Sequence, residues 1–246
     1  MYTMEKAKIQ KLYDACTSLF CSSRKQTPSF QQIQCLRNIL DTIEGIDVGI
    51  DEISHHQFSS VVDSTHSSID ACHEHINGRD VEPEITYIHI YECDDFSIGV
   101  FCFTQGAKLP LHDHPGMTVL SKVLYGSLHI KAYDWLKMSS SHSKTVGFAK
   151  TVGDGVFESP CEASALFPTT GGNIHSLEAL TPSAILDVLY PPYSEEFGRP
   201  SKYYSHTPMP SLPGYVILKE IDLPDDLVVR GEAYLGPQII TRFHKP

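Results

Sequence analysis

The sequence predicts a mainly β protein, a sandwich or barrel of short strands, with two α-helices packed on one face. Two observations support this fold class. After Pro83, short runs rich in β-branched and aromatic residues alternate with turn-forming residues. Before Gly45, apolar residues recur instead at helical spacing. Many short strands in one chain of this length are typical of a sandwich or barrel.

The N-terminal region is predicted to form two helices. Apolar residues recur every three or four positions over 9–20 and again over 33–43. Thr27 fits an N-cap with Pro28 at the first helical position, and Gly45 is placed to end the second helix. We expect both apolar stripes to face the core, so that the helices cover one face of the β domain.

The next segment, 46–83, is polar and is predicted to be a long irregular connection. It contains His55, His56, His73 and His75, and the last two have the His-x-His spacing of metal ligands. No strand pattern or Pro/Gly scaffold surrounds them. We therefore interpret these histidines as surface residues and not as a metal site.

The segment 84–223 is predicted to hold the strands, at 85–92, 96–103, 119–124, 127–134, 163–167, 184–189 and 215–221. Gly126 separates two of these runs as a hairpin turn residue, and 136–147 is expected to be an exposed excursion. Residues 224–246 are expected to form a tail. We expect residues 1–246 to make up a single domain.

Composition argues against several classes of function. The formal net charge of −11, from 19 basic and 30 acidic residues, disfavours binding to nucleic acid. The sequence has no apolar run long enough to span a bilayer and no charged-then-apolar leader, so no membrane role is expected. Seven cysteines without Cys-x-x-Cys spacing indicate reduced thiols and a cytoplasmic or nuclear location.

The strongest functional signal is the segment 109–117, where His112 and His114 lie two residues apart among proline and glycine. Residues i and i+2 of a strand point to the same face, so both imidazoles can reach one metal ion. A third ligand must come from elsewhere in the fold, and His175 is the best candidate. Imidazole suits Zn, Cu, Ni and Fe alike, so the ligands by themselves leave the metal open.

The spacing around these histidines resembles the two sequence motifs of cupins. The first motif is carried by Gly106, His112, His114, Val119 and Gly126, and the second by Gly172 and His175. Val119 stands where cupins usually have a glutamate ligand. A cupin that keeps three histidines and lacks this carboxylate resembles the thiol dioxygenases.

Within that group the chain resembles the plant cysteine oxidases and the related cysteamine dioxygenase. The resemblance extends over about residues 6 to 221 and is carried by the segments 91–93, 96–99, 110–117, 123–127, 133–135 and 185–193. It implies a cupin-type double-stranded β-helix, or jelly-roll barrel, with the N-terminal α-helices packed on it.

The resemblance also implies a chemistry. Such enzymes bind Fe(II) through three histidines, here His112, His114 and His175, and use O2 to convert a cysteine thiol to a sulfinic acid. The plant members act on the N-terminal cysteine of regulatory proteins, so the chain would be a monomeric oxygen sensor upstream of N-degron degradation. Three imidazoles leave adjacent octahedral positions open for thiolate and oxygen.

Two further residues acquire roles from the resemblance. Asp187 matches an aspartate near the metal that affects activity, and it would accept a hydrogen bond from a metal-bound group or from the substrate ammonium. Tyr193 would donate a hydrogen bond toward the pocket, although a packed aromatic fits equally. Asp113 is expected to point away from the metal and make a structural hydrogen bond. Ser201 replaces a cysteine common in the family, so cross-linking there cannot be carried over.

Two alternatives remain open at this stage. A dioxygenase for a small thiol such as cysteamine or free cysteine would use the same ligands. A cupin without enzymatic activity would bind metal for structure or sensing, and it would have a closed, fully ligated site.

Overall fold

The computed structural model describes residues 6–21, 28–50, 83–136 and 145–241. Two α-helices precede the strands in this part of the chain, α1 at Lys8–Cys16 and α2 at Phe30–Leu40. A π-helical turn, Thr17–Cys21, continues α1, and a 3₁₀ turn, Gly45–Val48, follows α2. No helix in the described ranges is long and apolar enough to cross a membrane.

Twelve strands follow within the described ranges: β1 Ile85–Glu92, β2 Ser97–Phe103, β3 Lys108–Asp113, β4 Thr118–Tyr125, β5 Ser127–Trp135, β6 Val146–Glu158, β7 Ser164–Leu166, β8 Ile174–Ala179, β9 Ser183–Tyr190, β10 Tyr203–Pro208, β11 Tyr215–Ile221 and β12 Val229–Glu232.

The strands form two sets. One is a six-stranded sheet in the order β12-β1-β2-β9-β4-β7, and the other closes on itself in the order β10-β11-β6-β5-β8-β3. Successive strands alternate between the two sets from β2 to β5 and from β6 to β10. This alternation winds the chain into a jelly roll, which confirms the predicted cupin-type double-stranded β-helix.

The helices cover the outer face of the six-stranded sheet, as the sequence predicts. Side chains such as Leu12 and Leu36 from the helices pack in one buried cluster with Ile98, Leu120 and Leu186 from the strands. Because side chains alternate along a strand, the neighbours of these residues in β2, β4 and β9 face the inside of the jelly roll. The helices therefore leave the inner face of this sheet free to line a cavity.

The predicted limits of the second helix were wrong. α2 begins at Phe30, because Ser29 is its N-cap and forms a reciprocal capping box with Gln32. The predicted cap, Thr27, lies outside the described residues. The helix ends at Leu40, and Gly45 instead opens the 3₁₀ turn.

Two strands occupy segments that the sequence assigned to an excursion and a tail. β6 begins at Val146, inside the predicted excursion, and pairs with β5 and β11. β12 lies in the predicted tail and pairs in parallel with β1. Both strands are mostly exposed and lack a clear apolar alternation, so only their pairing reveals them. The histidines of 55–75 lie outside the described residues.

Candidate metal centre

The fold brings together the three histidines singled out in the sequence. β3 and β8 pair antiparallel with His112 directly opposite His175, and His114 follows one residue after the end of β3. One ligand nitrogen from each histidine lies within 4.8 Å of the others. His112 and His114 are buried, and His175 is half-buried. Pairing between distant segments therefore supplies the third donor that the His-x-His motif requires.

Backbone carbonyls orient all three rings. The Nδ1 atoms of His112, His114 and His175 lie 2.8, 3.0 and 3.2 Å from the carbonyl oxygens of Pro110, Asn173 and Gly172. A carbonyl oxygen only accepts hydrogen bonds, so each Nδ1 carries the proton. The lone pair of each imidazole is then on Nε2, which is the state required of a metal ligand.

The environment also keeps the rings neutral. Burial lowers the pKa of all three, to about 3 for His175 and well below the ordinary 6.5 for His114. Repulsion between neighbouring imidazoles lowers the pKa of His114 and His175 further. A divalent cation therefore meets three ligands that have no proton to release near neutral pH.

The loop before β8 is fixed by a single carboxylate. Asp134, at the end of β5, accepts hydrogen bonds from the backbone N–H groups of Gly171, Gly172 and Asn173 at 2.9–3.1 Å. Both glycines have φ near +85°, which a residue with a Cβ adopts only with strain. This bond network places His175 at the start of β8.

Asn173 connects the loop before β8 to the backbone of His114. Its side-chain oxygen accepts from the His114 N–H at 3.2 Å, and its amide donates to the His114 carbonyl at 2.8 Å. Both bonds are buried. The segments that carry His114 and His175 are thus held together without a metal ion.

A cavity of about 430 Å³ opens in front of the histidines, between the two sets of strands. Its walls include Val119, Ser121 and Asp187 from the inner face of the six-stranded sheet. Val119 is buried, so the position of the usual cupin glutamate is apolar in this chain. The only group of three or more metal-type donors that lines this cavity among the described residues is the histidine triad.

Asp187 is a buried carboxyl group on the wall formed by the six-stranded sheet. It lies opposite Ser121 across the β4–β9 pair, and a hydrogen bond from Ser121 stabilises its charged form. Its other oxygen, Oδ1, is buried without a hydrogen-bond partner. Burial dominates and raises the pKa of this carboxyl to about 7. An acceptor left unsatisfied in a cavity is suited to a ligand that donates a hydrogen bond.

Tyr193 lies beside the centre, but its hydroxyl is already engaged. The phenol donates to the backbone carbonyl of Asp113 at 2.7 Å, and its ring lies 5.6 Å from that of His114. Ser201 hydrogen-bonds the same hydroxyl, while burial raises the pKa of the phenol well above 10. Tyr193 therefore packs beside His114, and its hydroxyl donates to the backbone and not toward the pocket.

Asp113 points away from the histidines, as expected for the residue between them. Its carboxylate accepts the backbone N–H of Lys202 at 3.0 Å and the hydroxyl of Tyr204 at 2.9 Å. These bonds join the end of β3 to β10. They help to hold His112 and His114, the residues on either side of Asp113.

Tyr87 is a cavity residue that sequence reasoning missed. Its side chain crosses Gly99, where a Cβ would overlap the phenol. Gly99 pairs with Asp187 on the neighbouring strand. Burial, together with the nearby Asp187, raises the pKa of the Tyr87 phenol to about 12. The unusual glycine within an apolar strand was the available signal, since such a residue indicates a close approach of other atoms.

Comparison with known proteins gives concordant matches. A protein-family model described as PCO_ADO matches residues 39–239. Plant cysteine oxidase 2 of Arabidopsis thaliana is 39% identical over 245 residues, which cover 94% of this chain and 83% of that protein. Plant cysteine oxidase 1 of the same plant is 36% identical and covers 94% and 80%. Human 2-aminoethanethiol dioxygenase is 33% identical over 64% of this chain and 69% of its own length.

Solved structures also match over about half of the chain. An RmlC-like cupin protein from Desulfovibrio desulfuricans is 20% identical over 52% of this chain and 99% of that protein, with a TM-score of 0.32. KdgF from Halomonas is 18% identical over 48% and 90%, with a TM-score of 0.33.

Proposed function

Because the chain belongs to the PCO_ADO family, we propose that it is an Fe(II)-dependent thiol dioxygenase that acts on the N-terminal cysteine of protein substrates. The reaction adds both atoms of O2 to the thiol and gives a cysteine sulfinic acid, so no further reductant is needed. The observation that carries the proposal is the triad of neutral histidines facing a cavity with an unsatisfied carboxylate oxygen.

The residues present fit an iron ion. The hydrogen bonds at Nδ1 leave the Nε2 atom of each neutral imidazole available as a ligand, and imidazole suits iron. Fe(II) held by His112, His114 and His175 would supply the oxygen activation that side chains lack. The cavity in front of the triad argues against the alternative of a closed, purely structural metal site.

Asp187 and Glu92, which both line the cavity, orient the substrate. The N-terminal ammonium of a peptide is a hydrogen-bond donor that satisfies the free Oδ1 of Asp187. Its positive charge favours the ionised form of the carboxyl, whose pKa is near 7 in the free protein. Glu92 also lines this cavity and adds negative charge. These groups hold the ammonium while the adjacent thiol faces the histidines.

The surface beyond the cavity favours a peptide substrate over a small thiol. A groove of about 570 Å³ shares Tyr193, Ser201 and Tyr203 with the cavity and continues to Glu195 and Leu223. A chain whose first residue fills the cavity can lie along this groove. Cysteamine would leave it unused, and the match to plant cysteine oxidases extends over more of the chain than the match to 2-aminoethanethiol dioxygenase.

The biological role belongs to the same proposal. Since O2 is a substrate, the rate of cysteine oxidation follows the oxygen supply. The enzyme would therefore act as an oxygen sensor upstream of N-degron degradation. We propose that it works as a monomer in the cytoplasm and nucleus. One chain contains all three histidines and the cavity, and no disulfide joins the six cysteines that the structure describes.

The test uses protein loaded anaerobically with Fe(II) and then exposed to O2 with a Cys-initiating peptide. Mass spectrometry should show a gain of two oxygen atoms on the peptide. The matched control is the same peptide acetylated at its N-terminus, which keeps the thiol but removes the ammonium that Asp187 would hold. Cysteamine and free cysteine are compared at equal concentration. Faster turnover of cysteamine would favour the small-thiol alternative, and no oxidation of any thiol would refute the proposal.

A further inference from the structure

A second group of metal-type donors lies on the opposite side of the six-stranded sheet from the histidines. Cys21, Cys93 and Asp95 place one ligand atom each within 4.8 Å of one another. Cys21 and Cys93 pack against the cluster formed by the helices and the outer face of the sheet. The histidine triad faces the inner cavity, so the two groups are separate sites.

Two segments of the chain build this group, the π-helical turn and the β1–β2 turn. Cys21 ends the π-helical turn that follows α1, a helical form often found at functional positions. Cys93 comes directly after β1, and Asp95 lies in the turn before β2. That turn is closed by a bond from the Cys93 N–H to the Phe96 carbonyl at 3.0 Å, and the Cys93 thiol lies 3.6 Å from the same oxygen. The two cysteines are therefore brought together by tertiary packing.

Aromatic residues pack in the same cluster as Cys21 and Cys93. Phe20 stacks on Tyr190 at 4.1 Å between ring centroids, and Tyr13 packs against Tyr91 at 4.7 Å. Cys21, Cys93 and Asp95 are each half-buried, so an ion from solvent can reach them.

The chemistry of the group favours a cation. The Cys21 and Cys93 thiols and the Asp95 carboxyl lie within 4.8 Å of one another. A bound cation removes the electrostatic repulsion between their anionic forms. Thiolate sulfur and carboxylate oxygen are both ligands of Zn²⁺, whose tetrahedral sites place two sulfur ligands roughly 3.7 Å apart.

We propose that Cys21, Cys93 and Asp95 form a binding site for a thiophilic divalent cation of the Zn²⁺ class. Binding displaces one proton from each thiol, forms two sulfur–metal bonds and one oxygen–metal bond, and leaves the fourth position to water. The ion joins the helical N-terminal region to the β1–β2 turn. Asp95 distinguishes this assignment from a simple disulfide, since a carboxylate adds nothing to a sulfur–sulfur bond.

The test is a titration of the reduced full-length protein with Cd²⁺, followed by the ultraviolet charge-transfer absorption of thiolate–Cd²⁺ bonds. Imidazole ligands give no such band, so binding at the histidine triad does not interfere. We expect a band whose final intensity corresponds to two thiolate–Cd²⁺ bonds per chain and that excess Zn²⁺ removes. Cys21→Ser and Cys93→Ser should abolish it, and Asp95→Asn should weaken binding at least about tenfold, the loss seen even for groups that only support a ligand.

Cys35→Ser is the matched control, because Cys35 is an exposed cysteine of α2 outside the group. This variant should retain the full band. Circular dichroism checks that each variant is folded, and Asp95→Asn keeps the proposal testable if a cysteine variant unfolds. The proposal is overturned if the wild-type protein gives no band, if the band survives both cysteine substitutions, or if the reduced protein re-forms a Cys21–Cys93 disulfide in place of binding the ion.

Discussion

Asp187→Asn should make the metal-free protein more stable while it lowers activity. The carboxyl is buried with a pKa of about 7 against an ordinary 3.8, which corresponds to at most roughly 4 kcal/mol of lost folding free energy at high pH. Because the folded-state pKa is raised, this stability is present below pH 3.8, is lost as the pH rises to about 7, and changes no further above that. An asparagine carries no charge and avoids the loss.

Urea denaturation of chelator-treated protein measures this effect. At about pH 8 we expect Asp187→Asn to raise the free energy of unfolding by about 2–4 kcal/mol, and at about pH 5 by less than half of that. The value of kcat/KM for a Cys-initiating peptide should fall by about 10- to 100-fold, as expected when a charged hydrogen bond worth about 1.5–3 kcal/mol is lost. A variant less stable than the wild type at about pH 8 would refute the reasoning.

Three further substitutions test the supports of the centre. Asp134→Ala leaves three loop N–H groups without their acceptor, so we expect a loss of about 3 kcal/mol in urea denaturation and about tenfold weaker metal binding by calorimetry. Gly99→Ala should displace the Tyr87 phenol from the cavity wall and lower kcat/KM about threefold to tenfold in the peptide assay, whereas Gly155→Ala, with open space at its Cβ position, should not. Tyr193→Phe removes the bond to a backbone carbonyl and should cost about 1 kcal/mol of stability in thermal denaturation.

Each of these expectations has a result that contradicts it. Unchanged metal affinity in Asp134→Ala would mean that the loop holds His175 without the carboxylate. Equal activity of Gly99→Ala and Gly155→Ala would mean that the position of Tyr87 does not matter. If Tyr193→Phe were as stable as the wild type, solvent would have to replace the lost hydrogen bond at no cost.

Short-range signals made much of the fold predictable. The apolar stripe around Leu36 identifies a helix because its period of 3.6 residues is written into the sequence. The capping box at Ser29 was also readable, but Thr27-Pro28 gave a competing signal two residues earlier. β6 was missed because exposed strands with glycines at 153 and 155 acquire their structure from pairing with β5 and β11, which no local pattern encodes.

The candidate site was likewise predictable only in part. The sequence by itself determined which residues are the metal-type donors, because His-x-His spacing, the second histidine motif and the apolar Val119 are local patterns. Only the tertiary structure decided that His112 and His175 are opposite one another, that carbonyls direct each Nε2 inward, and that Tyr87 crosses Gly99 beside Asp187. These contacts join residues far apart in the chain, and strand register, hydrogen bonding and burial exist only once the strands have paired.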